Sequence, residues 1–204
     1  FSELDKAQPG TPSHLQGLVV SLNNLTFAQA DLHDKQGEAE TLRRAVAIEE
    51  KRVQERPDSL PLRVSLAGFL NNLGVALFAL GEDEDAIAAY RQAIEHQRVA
   101  LEKGPDQPEL RSGLAVQHQG LFEALHSLGR AQEALEAIRE WAKFVPNDPA
   151  ELFDAARAFA LCAALVDKTT DREAIVIEAT RTLKAAIAAG WSDVGRAREC
   201  PELA

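Results

Sequence analysis

Methionine is absent from the 204 residues, tyrosine occurs once, and aromatic residues make up 5% of the chain. Without methionine there is no initiator, so the chain is expected to be a piece of something longer. The scarcity of aromatic and β-branched alternation removes the usual signature of strands. Cysteine occurs twice, at Cys162 and Cys200, with no C-x-x-C spacing, which excludes a disulfide framework. The two thiols are expected to be free in a reducing compartment or simply packed. Basic residues are also short: 22 Lys and Arg stand against 32 Asp and Glu, for a net charge of -10. That balance repels phosphate backbones, so nucleic acid is not an expected partner. No apolar run approaches the roughly 18 to 20 residues that span a bilayer, and no signal peptide opens the chain. Direct membrane insertion is therefore not expected, and the chain reads as soluble. The cytoplasm is the expected compartment, or an extracytoplasmic one if a spanning segment lies upstream.

Periodicity is what the sequence does have. "SLNNLTFAQADL" at 21–32 returns as "FLNNLGVALFAL" at 69–80, and Asn71 minus Asn23 is 48. Pro9, Pro57 and Pro105 are also 48 apart, each in a short polar stretch that ends a helix. Between them lie Ala, Leu, Glu, Arg and Gln, which favour helix. Gly81 and Gly129, again 48 apart, follow a leucine and suit the left-handed residue that closes a helix, while the acidic run Glu82 to Asp85 suits the positive start of the next. His33 holds the matching place in the first unit, so that turn is expected to be less regular. The spacing predicts helices at 13–32, 36–55, 61–80, 83–103, 108–128, 131–144, 149–165 and 171–189. By the same register "FSELDK" is expected to close the second helix of a preceding unit.

These residues resemble the tetratricopeptide repeat, W-x-x-L-G-x-x-Y then A-x-x-x-F then proline over 34 residues. Leu70, Leu73, Gly74 and Leu77 fill the first-helix places and Ala86, Tyr90 and Ala93 the second. Gly74 and Ala86 are small, so two helices can approach closely. A later unit has Leu121, Leu125, Ala134, Ile138 and Pro146, with Phe122 in the place of Gly74, and the first has Leu22, Leu25 and Ala28, with Thr26 there. Leu152, Ala155, Ala156 and Phe159 continue the register. The surplus over 34 is 14 residues, two heptads; since seven residues turn about 700°, helices can lengthen with their apolar face almost unrotated. Pro146 comes seven residues before the place expected from Pro105, so the third second-helix has lost one such block. The expected fold is all-α, a right-handed superhelical array of antiparallel helix pairs with lengthened helices. Its expected divisions are 1–12 (the end of a preceding repeat), 13–60, 61–107, 108–148 and 149–204. The whole is similar to repeat regions attached to bacterial eukaryotic-like serine/threonine kinases. No Gly-rich loop, H-R-D or D-F-G occurs, so any kinase activity would lie outside these residues.

The resemblance implies a partner-binding role in which the first helices line a concave groove. Carried over, Asn23, Asn71 and Gln119 would form a row of amides, with Phe27, Val75 and Glu123 one turn on and Phe78, His126 and Arg157 flanking. Amides both donate and accept, so the row suits a peptide backbone; equally, it would serve to fix repeat register. Arrays of this type that clamp a terminal carboxylate use lysines, which Asn71, Val75, Gln119 and Glu123 replace, so an acidic tail is not the expected ligand. The expectation is a non-enzymatic scaffold for a protein or peptide segment, with self-association through the end repeats as the alternative. No catalytic, metal or cofactor residues are expected. His118 and His126 lie two turns apart, too far to share a metal, and read as surface or groove histidines along with His14, His33 and His96. "GEDED" lacks the ligand spacing of a calcium loop. The sequon at Asn24 sits inside a helix with Leu25 expected in the core, and Cys162 is expected to be a buried small residue.

Overall fold

The computed structural model describes residues 11–145, 148–166, 169–193, 195–196 and 200, apart from the side chains of Pro12 and Thr170. The expectations resting on "FSELDK", Pro9 and Pro146 lie outside the described residues. Those residues form eight α-helices and no strand: α1 (Pro12–Asp31), α2 (Lys35–Glu55), α3 (Leu60–Ala79), α4 (Asp83–Lys103), α5 (Pro108–Ser127), α6 (Ala131–Phe144), α7 (Pro149–Leu165) and α8 (Thr169–Ala188). Every end lies within two residues of its expected place. The second helices α2 and α4 have 21 residues and α6 has 14.

Two compact units divide the chain, Phe1–Leu110 and Arg111–Ala204. In the first, α2 packs on both α1 and α3, and α3 on α4. In the second, α7 packs on α6 and α8.

The helix-to-helix turns share one geometry. After α3, Gly81 N–H donates to Phe78 O at 3.0 Å and Glu82 N–H to Leu77 O at 2.9 Å. The same pair of bonds closes α5 at Gly129 and Arg130, and α8 at Gly190 and Trp191. Both bonds require a left-handed residue at the penultimate place, and Gly81, Gly129 and Gly190 have φ of 76°, 67° and 107°. His33 corrects the expectation of an irregular first turn. It adopts φ 57°, donating to Ala30 O at 3.0 Å while Asp34 N–H reaches Gln29 O at 2.9 Å. The two cap bonds hold the histidine where its Cβ is disfavoured. The turns after α2 and α4 also repeat. Arg56 N–H donates to Arg52 O and Ser59 N–H to Arg56 O, as Gly104 does to Ala100 and Gln107 to Gly104.

Small residues set the helix spacing as the pattern predicts. A Cβ on Gly74 would lie 2.7 Å from the Tyr90 ring, so glycine is what lets α3 approach α4. The residues 48 before and after this pair are Thr26 with Leu42 and Phe122 with Ile138, all buried. A larger residue on the first helix thus goes with a smaller one on the second, which conserves volume.

Three further expectations are corrected. Leu25 is 43% exposed while Leu73, its mate 48 residues on, is 8% exposed. The reason is that α2 covers that face of α3, whereas among the described residues no helix precedes α1. His118 is buried rather than superficial, its ring stacked on Phe144 at 6.1 Å. α3, at 20 residues with a mean hydropathy of 1.4 over its most apolar window, is long and apolar enough to cross a membrane. Half of that window is buried inside the unit, because α2 and α4 pack on it.

Beyond α8 the chain returns to α7. Trp191 stacks on Phe153 at 4.1 Å, Arg196 lies over the same ring at 5.3 Å, and Leu152, Ala186 and Cys200 complete the cluster. Cys162 is fully buried in α7, and burial pushes its thiol up to about 12, which keeps it an unreactive packing group.

Candidate functional site

α1 and α3 begin alike, and α2 packs against both. α1 is capped by Thr11, whose hydroxyl accepts from His14 N–H, and α3 starts with Pro61 in its first turn. Between the two helices is a cavity of about 340 Å³. Its α1 wall is Gln16, Val19, Val20 and Asn23; its α3 wall is Val64, Ser65, Gly68, Phe69 and Asn72. None of these nine side chains is charged, in a chain of which 26% is.

A buried polar chain ties the walls together through α2. Arg52 donates to Glu49 Oε1 at 2.5 Å and, through Nη2, to Gln16 Oε1. Ser65 Oγ donates to the same Glu49 oxygen at 3.2 Å. Glu49 is 0% and Arg52 4% exposed, so the ion pair replaces hydration by mutual contact and by the two cavity-lining side chains. Its place on α4, 48 residues on, is taken by Gln97 and Ala100, and Gln97 Nε2 donates to Leu110 O at 3.1 Å.

The sequence-predicted residues are distributed as follows. In the first unit Asn23 is half-buried and lines the cavity. Asn71 is half-buried too and makes one long contact, 3.4 Å from Nδ2 to Asn72 Oδ1; the cavity wall is Asn72. Phe27 is 63% exposed, Val75 is exposed and Phe78 is half-buried. In the second unit Gln119 donates to Glu123 Oε1 at 3.3 Å, one turn along α5. His126 tilts against Phe122 at 5.6 Å, and Arg157 is exposed on α7. Among the described residues no group of three or more His, Cys, Asp or Glu side chains could hold a metal ion.

Sequence reasoning passed over Gln16, Val20, Val64, Gly68 and Asn72. Their signal was available: 64, 68 and 72 are spaced by four, hence on one helix face, and the stretch between Arg63 and Glu82 is free of charge.

Comparison with known proteins bears on the fold. Residues 67–98 match the tetratricopeptide repeat. The match covers α3 from Ala67 and most of α4, the pair held by Gly74 and Tyr90. Among solved structures, the chain is similar to a kinesin light chain-type protein of Podosopora anserina with nearly identical TPR-like repeats, at TM-score 0.53 and 22% identity, over 95% of this chain and 93% of that one. A single-substitution variant of that protein aligns with TM-score 0.53 and 22% identity over 91% and 90%. MamA aligns at TM-score 0.44 and 15% identity over 84% and 91%. No curated protein matches the chain. The fold is therefore a TPR-like array of helix pairs, a type that serves as a scaffold for protein–protein interaction.

Proposed function

We propose that this chain is a non-enzymatic scaffold that holds a segment of a partner protein along the faces of α1 and α3. The observation that carries this is the uncharged cavity between those helices, with Phe27 and Val75 exposed on the same two elements. A segment laid there gains contact with apolar surface and with amides able to pair its peptide groups. In this reading Asn23, Phe27, Asn71, Val75 and Phe78 contact the partner in the first unit. The second unit offers Gln119, Glu123, His126 and Arg157 on its own first helices, α5 and α7. The resemblance of the repeat to kinase-attached arrays is the ground for a regulatory or docking role in a larger chain carrying a serine/threonine kinase; the compartment in this reading is the cytoplasm, or an extracytoplasmic one if a spanning segment lies upstream.

A displayed library of random peptides tests the groove. Peptides enriched on the wild type should lose about tenfold or more in affinity on Phe78→Ala or Asn71→Ala. Retention unchanged on both variants would remove the reading.

A second reading, self-association through the ends, is favoured by the exposed Leu25 on α1 and Leu32 just after it, and by Val176, Ile177 and Ile187 on α8. Sedimentation at several concentrations separates the two, since a monomer at every concentration eliminates stacking.

A further inference from the structure

The cavity between α1 and α3 holds more information than the presence of a groove. Gly68 lies in the middle of α3, where glycine is less favourable than alanine because it exposes backbone and loses more entropy. Two structural reasons commonly retain such a glycine, and neither operates. Its φ is not among the positive ones, and a Cβ built on it meets nothing within 4 Å. Gly74, six residues on, shows the contrast, since Tyr90 fills the space above it. What the missing side chain leaves at Gly68 is open room in the cavity wall.

We propose that this cavity is an anchor pocket for one uncharged aliphatic side chain, leucine, isoleucine or valine, of an extended partner segment. The proposal rests on the groove reading and assigns its occupant. Val19, Val20, Val64 and Phe69 supply apolar walls, and about 340 Å³ is at the small end of ligand cavities, roughly 300 to 1,000 Å³. A charged guest is disfavoured because the lining offers no counter-charge, and beside it the buried charges of Glu49 and Arg52 offset each other. Asn23 on one wall and Asn72 on the other each present a donor and an acceptor. An extended segment has free peptide groups to meet them; a helical one satisfies its own.

The test uses an array of end-blocked hexapeptides, serine throughout except for two central positions varied through all residues. Wild-type protein should retain peptides with central Leu, Ile or Val at least about tenfold better than those with Asp or Lys. Gly68→Leu, which fills the cavity, should lose that retention about tenfold while its melting midpoint stays level or rises. Gly68→Ala should raise the midpoint and weaken retention by a smaller factor, which keeps the test valid if the leucine variant folds poorly. Equal retention of aliphatic peptides by wild type and both variants would overturn the pocket and leave the groove reading standing. A preference for Asp or Lys would overturn it as well. Failure of the wild type to hold any peptide would remove the groove reading and the pocket together.

Discussion

His33 shows how a single residue can be held against its own preference. A non-glycine in the left-handed region costs about 1–2 kcal/mol, and glycine itself sacrifices about 0.5–1 kcal/mol of chain entropy. His33→Gly should therefore stabilise the protein by up to about 1 kcal/mol in urea denaturation; a loss of stability would mean that the ring makes contacts the turn needs. Gly74 is the opposite case. Gly74→Ala drives a methyl into the Tyr90 ring and should cost about 1–3 kcal/mol. Adding Tyr90→Leu, which imitates the Thr26 and Leu42 pair one register earlier, should recover much of it, and a double-mutant cycle measures the coupling. His96 sets a pH dependence. Burial chiefly, then Arg63 with its Nη1 3.4 Å away, lower its pKa from the usual 6.5, against the opposing pull of Glu50 and Glu95. A depressed folded pKa gives stability that is present above about pH 6.5 and lost as pH falls through the folded value. Urea midpoints should decline below pH 6.5, and less so in His96→Gln.

At the scale of elements, α2 is the helix on which the first unit turns, since both α1 and α3 pack on it. Its buried Glu49–Arg52 pair should be fragile in one direction only. Arg52→Ala leaves an uncompensated buried carboxylate and should cost about 3–5 kcal/mol. The double change Glu49→Gln with Arg52→Ala installs the residues that α4 carries at Gln97 and Ala100, and thermal denaturation should show most of the loss restored. A double variant as unstable as the single would show that charge, not polarity, holds this seam. The helices themselves were legible in the sequence because proline, glycine and the 48-residue register punctuate them. Leu25 was misjudged because the register assigns equal environments to 25 and 73, and only the neighbouring helix decides which is covered. The turn at His33 was misjudged because cap hydrogen bonds, invisible in the residue type, impose its conformation.

For the whole molecule, the succession of helix pairs was legible in the register, but which side chains line the cavity was not. Asn71 and Asn72 are adjacent and chemically identical, and choosing between them depends on the rotation of α3 over α2, which no spacing fixes to within one residue. The uncharged stretch between Arg63 and Glu82 was a clue that serves two ends, packing between α2 and α4 and lining the cavity. The central claim is that a partner segment lies on α1 and α3. Site-specific photo-crosslinking tests it most directly, with benzoylphenylalanine replacing Phe27 on α1, Val75 on α3 or Gln92, exposed on α4, and a library-selected peptide as the target. The account predicts crosslinks from the first two positions and none above background from Gln92; equal or greater yield from Gln92 would contradict it.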